Sequence, residues 1–281
     1  MSKLKPILAG LIATMMVAGC GLKVGGVDLG RVAQVGKRAF TSAENISPKE
    51  EFMLGAKMTA VLLGGAPLLP NDALQRHVNL VGRWIASQSE RPDLPWTFAV
   101  IQSRDINAFA APGGFVLVSS GLLSLLDGDD ELAAVLAHEI AHVNDKHHLK
   151  ALDKTKGLDI IGQLALVAAD AYNANHQTSQ VARRNQKIAK GLLSATQTLY
   201  VNGLSKADEF EADGHGLVLM TRAGFDPYAM VSVLQKIEAL DPRDSRMALW
   251  LSTHPKTTDR IAAIAKKIEP LLSQGIVRMS H

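Results

Sequence analysis

Hydrophobic positions at helical spacing mark the centre of the chain. Leu132, Leu136, Ile140 and Val143 recur at intervals of three and four residues, which predicts a helix with one apolar face. Acidic residues are concentrated just before them, at positions 127–131, where negative charge is stabilised by the N-terminal end of a helix dipole. The pattern therefore predicts a helix that begins near position 130.

Two further helix starts are predicted upstream. Ser47, Pro48 and Glu50 form a capping-box pattern with proline at the first helical position. Asn71 or Asp72 is suited to cap the next helix, because either side chain can accept a hydrogen bond from a free backbone N–H.

Strands are predicted on either side of a glycine-rich turn. Residues 96–101 and 115–119 have the composition of strands, and Pro112-Gly113-Gly114 turns the chain before the second. Low aromatic content and frequent alanine, leucine and glycine favour helix elsewhere. We predict an α+β fold, mostly helical, with a small sheet.

The charge pattern excludes one class of function. The net charge is +3, and no basic stripe with interleaved aromatic residues occurs. Nucleic-acid binding therefore has no support.

The chemistry is concentrated in His138-Glu139-Ile140-Ala141-His142, an H-E-x-x-H motif on the predicted helix. Histidines at i and i+4 project from one helical face and can hold one zinc ion. Glu139 can take a proton from a water at that metal. The alternative is a pair of structural histidines without a metal.

A third ligand is predicted downstream. Ser205 and Asp208 begin another helix, on which Glu209 and Asp213 lie at i and i+4 and face one way. One carboxylate can bind the metal while the other accepts a ring N–H from a ligand histidine, and Glu211 points elsewhere. A solvated acidic helix start is the alternative.

Four ordered motifs together resemble the HtpX-like and CAAX-prenyl-protease-like zinc metallopeptidases of gluzincin type. H-E-x-x-H is followed by E-x-x-x-D at 209–213, preceded by N-A-F-A-x-P-G-G at 107–114, and followed by T-H-P-x-x-x-x-R at 253–260. The resemblance runs from about position 47 to 268 and implies a zincin-like domain.

The resemblance also implies roles for individual residues. The zinc ligands, one ion per chain, are expected to be His138, His142 and Glu209, with Glu139 as base and Asp213 behind a ligand. His254 is a candidate for stabilising the oxyanion or for occupying the fourth zinc position in a latent state. Arg260 is expected to orient the Thr-His-Pro turn. By the same resemblance, and because His147 lies five residues beyond His142, the histidines His147, His148 and His215 are predicted not to be ligands.

A substrate-binding strand is also predicted. Zincins in general bind an extended substrate along an edge strand of the cleft. We expect Gly114, Phe115 and Val116 to serve here, although an ordinary core strand explains this segment equally well.

The N-terminus predicts export and lipidation. Lys3 and Lys5 precede a short apolar run, and Val17-Ala18-Gly19-Cys20 resembles a bacterial lipobox. We predict a signal peptide at 1–19, lipidation of Cys20, a tether at 20–45 and a catalytic domain at 46–281. A plain secretory signal without lipidation is the alternative. Gly21 favours the outer membrane, with the domain in the periplasm.

Two segments between the motifs are less specific. Residues 158–169 are apolar and favour a buried helix over an interfacial one, because their flanks lack a basic face. Residues 172–190 are polar and could form a lid, an ordinary helix or a loop.

The sequence thus predicts a zinc-dependent metalloendopeptidase in quality control of the cell envelope. Its expected partners are peptide and protein substrates, including misfolded outer-membrane proteins, and the membrane through the lipid on Cys20. The main alternative is a chaperone or assembly factor that uses the same cleft without cutting. A zinc hydrolase of a non-peptide substrate has no support beyond the generic chemistry.

Overall fold

The computed structural model describes residues 23–24, 27–28, 46–154, 191, 193–194, 196, 203–254 and 257–273. Cys20, the signal segment, and the segments 158–169 and 172–190 lie outside the described residues, so the predictions made for them stay predictions. Two short antiparallel strands, β1 (Lys23–Val24) and β2 (Val27–Asp28), fall within the predicted tether.

Helices dominate the described part of the chain. They are α1 (Pro48–Gly65), α2 (Asp72–Ala86), α3 (Ser120–Leu123), α4 (Asp129–Asn144), α5 (His147–Lys154), α6 (Lys206–Arg222), α7 (Tyr228–Glu238), α8 (Ala248–Thr253) and α9 (Thr257–Ser273). A 3₁₀ turn at Ser245–Met247 precedes α8. None of the helices in the described ranges has the length and apolarity that crossing a membrane requires.

The helix starts follow the predicted caps. The Ser47 side chain accepts from the backbone N–H of Glu50, whose carboxylate accepts from the N–H of Ser47 in return. Asn71, rather than Asp72, caps α2 through its bond from the N–H of Leu74. Side-chain oxygens satisfy the free donors of the first turn in both cases.

The sheet has three strands in the order β3 (Thr97–Ile101), β5 (Phe115–Ser119), β4 (Ala108–Ala111). β3 runs parallel to β5, and β4 runs antiparallel to it. β4 and β5 form a hairpin whose turn requires Gly113 at φ 78° and Gly114 at φ 98°, which glycine adopts without steric cost. The mostly helical α+β class is confirmed.

This topology corrects one prediction. β5 is the central strand, because Val116 pairs with Phe98 on one side and with Ala110 on the other. The prediction that Gly114, Phe115 and Val116 offer a free strand edge is wrong, since both edges of β5 are occupied. β4, the edge strand of the hairpin, was not predicted from the sequence.

α4 forms the centre of the molecule. Every residue from Glu131 to Val143 is buried, and the helix packs against α6, α2, α7 and β4. The apolar spacing predicted this helix, but its small alanines make it buried on all sides, so its polar residues face protein rather than water. Those polar residues include the H-E-x-x-H motif.

A buried ion pair holds the hairpin beside α4. Glu51 of α1 accepts from the backbone N–H of Gly113 at 3.1 Å and from Arg91 at 2.9 and 2.6 Å. The same guanidinium donates to the carbonyl of Val143, near the end of α4, at 3.0 Å. These bonds fix the position of the hairpin relative to the motif helix.

Candidate active site

The two histidines of the motif meet on one face of α4. Nε2 of His138 lies 3.0 Å from Nε2 of His142, and both side chains are buried. The i, i+4 spacing brings the rings together, as predicted. Two nitrogens therefore converge on one point.

A carboxylate from α6 meets them there. Oε1 of Glu209 lies 3.4 Å from Nε2 of His142, and Oε2 lies 3.6 Å from Nε2 of His138. Oε2 is buried without a hydrogen-bond partner. Ser205 and Asp208 begin α6 with the predicted capping box, which places Glu209 in the first turn.

α6 approaches α4 closely at a glycine. A Cβ atom added to Gly216 would lie 3.0 Å from the backbone nitrogen of His138. A larger residue at this position would push the two helices apart. Glycine therefore sets the distance across which Glu209 reaches the histidines.

The three side chains have the spacing of metal ligands. A tetrahedral zinc site with bonds of ~2.0–2.1 Å places its donor atoms about 3.3 Å apart. The observed separations of 3.0, 3.4 and 3.6 Å lie on either side of that value. His138, His142 and Glu209 can thus hold one small cation.

Asp213 lies behind His138 and carries a buried ion pair. Its Oδ1 lies 3.0 Å from Nδ1 of His138, on the far side of the ring from Glu209. Arg260 of α9 binds the same carboxylate through Nε at 2.8 Å and Nη2 at 2.6 Å. The other guanidinium nitrogen, Nη1, lies 3.5 Å from Glu209. The sequence predicted Asp213 here, but it assigned Arg260 to the Thr-His-Pro turn and missed both carboxylates.

The buried acidic groups outnumber the fixed cations around this point. Glu139, Glu209 and Asp213 are buried carboxyls, and Arg260 is the guanidinium among them. Burial opposes ionisation of Glu209, but electrostatic interactions with His254 and with the two motif histidines hold its pKa well below the usual range. Burial likewise opposes ionisation of Asp213, and Arg260 lowers its pKa strongly. The site is built to carry positive charge.

Glu139 has the pKa of a general base. Burial is the largest effect and raises the pKa of Glu139 to about 7. The charge of Glu209 raises this pKa further, whereas the charges of His138 and Arg260 lower it. The backbone N–H of Ala110 also donates to its carboxylate. A base with a pKa near neutrality is efficient in proton transfer.

The motif histidines differ in basicity. Burial and Arg260 lower the pKa of His138, but the neighbouring carboxylates of Asp213 and Glu209 raise it to about 9. Burial lowers the pKa of His142 to about 4, against the opposing effect of Glu209. The difference follows from Asp213, which contacts only the first ring.

His254 approaches the same point from the end of α8. Its Nε2 lies 3.8 Å from Oε2 of Glu209, and His138, Glu209 and His254 offer ligand atoms that lie within 4.8 Å of one another. Its ring stacks on Trp250, with centroids 4.0 Å apart and planes 11° apart. Burial lowers its pKa to about 3, so the ring is neutral near pH 7.

Three histidines predicted not to be ligands lie outside the group formed by His138, His142 and Glu209, but one of them contacts a member of that group. His215 is exposed and lies 2.7 Å from Asp145, and His148 lines the cavity beside His142. His147, in contrast, places Nδ1 2.9 Å from Nδ1 of His142. His147 would face away from His142 only if the helix continued through both residues. α4 ends at Asn144, and Lys146 at φ 56° turns the chain back, so His147 returns to the ring of His142.

A cavity of about 330 Å³ opens onto the motif. Its walls include Glu139, His142, Glu209 and His254, together with Asn107 and β4 residues 108–110. Gly114, Phe115 and Val116, the predicted substrate-binding residues, are not among them. The edge strand that borders the cavity is β4.

The comparisons with known proteins agree with this arrangement. The beta-barrel assembly-enhancing protease of Escherichia coli (strain K12) is 29% identical over 241 residues, which cover 84% of this chain and 48% of that protein. The mitochondrial metalloendopeptidase OMA1 of Schizosaccharomyces pombe is 33% identical over 202 residues, 72% of this chain and 54% of that protein. The chain thus spans about half the length of these relatives. The model of peptidase family M48, whose members are metal-dependent, matches residues 72–268, and the chain belongs to that family.

Proposed function

We propose that this chain is a zinc-dependent endopeptidase with one zinc ion held by His138, His142 and Glu209. The convergence of the two Nε2 atoms and the Glu209 carboxylate, at separations of 3.0 to 3.6 Å, carries the proposal. Two imidazoles and one carboxylate are a donor set that zinc accepts in catalytic sites, where a fourth position stays open.

Two further observations fit a divalent cation. Oε2 of Glu209 is buried without a hydrogen-bond partner, so it has a lone pair available at the convergence point. When His138 is deprotonated, as a zinc ligand must be, and Glu139 is ionised, three buried carboxylates with one guanidinium leave two negative charges, which a dication would neutralise. Burying charge without such compensation is costly.

Glu139 is proposed to transfer the proton during hydrolysis of the peptide bond. Zinc, when bound, lowers the pKa of an attacking water and polarises the scissile carbonyl. Glu139 accepts the proton of that water and delivers it to the leaving amine nitrogen. The Ala110 N–H holds the carboxylate toward the cleft, and Asp213 holds the ring of His138 in its ligand orientation.

His254 is proposed to act as a fourth ligand in a latent state. The Thr253 hydroxyl has one proton, which it donates to the carbonyl of Leu249 at 2.9 Å. Its oxygen therefore accepts from Nδ1 of His254, at 2.8 Å. Nε2 of His254 then carries a lone pair and faces Glu209. A lone pair can bind a metal ion, whereas stabilising an oxyanion requires an N–H group, so this tautomer favours the ligand role.

The substrate is proposed to bind along β4. Ser119 donates its N–H to the carbonyl of Asn107, so these two residues form a hydrogen-bonded pair of the antiparallel ladder. Hydrogen-bonded and non-hydrogen-bonded pairs alternate along such a ladder, so Ala108 and Ala110 lie in non-hydrogen-bonded pairs. Ala108 and Ala110 consequently direct their backbone polar groups away from β5. Their carbonyl groups face the cavity side, whereas the N–H of Ala108 donates to Oδ1 of Asn107 and that of Ala110 donates to Glu139. An extended peptide could pair with this edge by strand addition.

The setting is proposed to be the bacterial cell envelope. The lipobox-like segment at Cys20 predicts a lipid anchor, and a relative carries the name beta-barrel assembly-enhancing protease. β-Barrels span outer membranes. We therefore propose that the domain faces the periplasm, anchored to the outer membrane, and cleaves misfolded outer-membrane proteins.

One experiment tests the enzyme. The purified full chain should contain one zinc per molecule and cleave casein, and a chelator should abolish cleavage. Glu139→Gln should retain zinc and fold while cleavage falls by about 10²–10⁴-fold. Glu238→Gln, which changes an exposed carboxyl of α7, is the matched control. A zinc-free chain, or full activity of Glu139→Gln, would refute the proposal.

The same variant tests the alternative, a chaperone that uses the cleft without cutting. The cavity is compatible with binding as well as with cleavage. If Glu139→Gln, expressed in cells, supported outer-membrane assembly as well as wild type, binding rather than hydrolysis would be the function.

A further inference from the structure

The two motif histidines differ in what contacts their second ring nitrogen. Nδ1 of His138 faces the carboxylate of Asp213, whereas Nδ1 of His142 faces Nδ1 of His147 at 2.9 Å. His147 is completely buried. One proton must lie between two ring nitrogens at this distance, because two lone pairs or two N–H groups would repel. The protonation pattern of one ring therefore fixes that of the other.

We infer that His147 is a positioning residue that holds His142 in the tautomer whose Nε2 can bind a metal. The inference rests on the proposed zinc site. A neutral imidazole has one N–H and one lone pair. If Nε2 of His142 offers its lone pair to the ion, Nδ1 carries the proton and donates it to Nδ1 of His147. The remaining proton of His147 must then lie on Nε2.

Acidic groups lie where that second proton points. Oε2 of Glu211 is 3.4 Å from Nε2 of His147, and Oδ1 of Asp208 is 3.9 Å from it. Both residues belong to the first turns of α6, which also carries Glu209. Negative charge at Nε2 of His147 favours an N–H there. The helix that supplies the third ligand thus also orients the second ligand, through His147.

The same cluster resembles a second metal site. Asp145, His147 and Glu211 offer ligand atoms that lie within 4.8 Å of one another. A cation on Nε2 of His147 would move the proton of that ring to Nδ1, which would then donate to His142. His142 would be forced to protonate Nε2 and could no longer bind zinc. The orienting role and a second metal at His147 are therefore incompatible.

Two substitutions of His147 distinguish a role in orienting the His142 ring from a role in packing alone. In His147→Asn, the amide oxygen takes the place of Nδ1 and can accept from His142. In His147→Leu, the side chain has similar bulk but no acceptor. We expect the zinc affinity of the full chain, measured by competition with a chromogenic chelator, to fall about 10–100-fold for leucine and to stay within about threefold for asparagine. His215→Leu, which removes an exposed imidazole on the opposite side of Asp145, is the control and should not change it.

The zinc-loaded wild type gives a second readout that does not depend on folding of a variant. Long-range ¹H–¹⁵N spectra should show the Nδ1–H tautomer for His142 and the Nε2–H tautomer for His147. The inference is overturned by the reverse tautomer, by unchanged zinc affinity in a folded leucine variant, or by two zinc ions per chain with His147 as a ligand. A wild type that binds no zinc would instead refute the proposed function on which the inference rests.

Discussion

Asp213 and Arg260 form a buried ion pair with two short bonds, Nε to Oδ2 at 2.8 Å and Nη2 to Oδ1 at 2.6 Å. The same carboxylate contacts the outer nitrogen of His138. One side chain therefore links the core of α9 to the proposed metal site. Stability and metal binding are coupled through it.

Asp213→Asn should weaken both properties. The substitution leaves Arg260 buried beside a neutral amide, and losing one partner of a buried pair costs about 3–5 kcal/mol of unfolding free energy. Zinc affinity should fall about 10–100-fold, because His138 loses a charged acceptor. Denaturant unfolding and chelator competition measure the two effects. Asp259→Asn, which breaks an exposed pair with Lys206 far weaker than a buried one, should change both values by much less.

The pH dependence of cleavage should follow Glu139. Burial raises the pKa of this carboxyl to about 7, and a bound dication would favour the ionised form and lower it. The base must be deprotonated, so kcat/KM should fall about tenfold per pH unit on the acidic side of an apparent pKa at or below 7. A peptide assay from pH 4 to pH 9 measures this limb. Were the limb to persist in the residual activity of Glu139→Gln, another group would be responsible.

Proline substitutions should distinguish the two strands of the hairpin. Ala110→Pro removes an N–H that points toward Glu139 and the cavity, so the fold should survive while kcat/KM falls about 10²-fold or more. Val116→Pro places proline in the central strand, which should destabilise the protein by about 3 kcal/mol or more. Circular dichroism and the peptide assay measure the two results. If Val116→Pro folded normally, the strand order described above would be wrong.

His254→Ala should raise peptide cleavage severalfold while zinc stays bound. The lone pair of His254 competes with water and substrate for the fourth position, and its removal leaves that position open. An oxyanion role predicts the opposite, a loss of about 10²–10³ in kcat. Steady-state kinetics and zinc analysis discriminate these outcomes. Neither role would survive if activity and zinc content were both unaltered.

Most of the candidate site could be predicted because its residues follow one helical period. His138 and His142, like Glu209 and Asp213, are spaced at i and i+4. Acidic residues mark the start of the first helix, and a capping box marks the start of the second. Local spacing is visible in a sequence. The partner that each side chain meets across the core is not visible, and for that reason the ion pair of Arg260 with Asp213 was not predicted.

The errors share a related cause. Ala-Phe-Ala-Ala of β4 is too short and too uniform to alternate, so no pattern indicated a strand, and the central position of β5 depends on that missing neighbour. His147 was placed by extending α4 past its end. The turn at Lys146, a non-glycine residue at φ 56°, has no signal in the local composition.

The contact of Gly216 with the backbone of His138 has a consequence for the choice of ion. Because no side chain separates α4 from α6 there, the Glu209 carboxylate meets two imidazole nitrogens; that donor set suits zinc rather than calcium, which needs six to eight oxygens at 2.3–2.6 Å. Gly216→Ala would add a methyl group 3.0 Å from that backbone nitrogen and widen the space between the helices. The donor set proposed to hold zinc therefore depends partly on a residue that has no side chain and supplies no ligand.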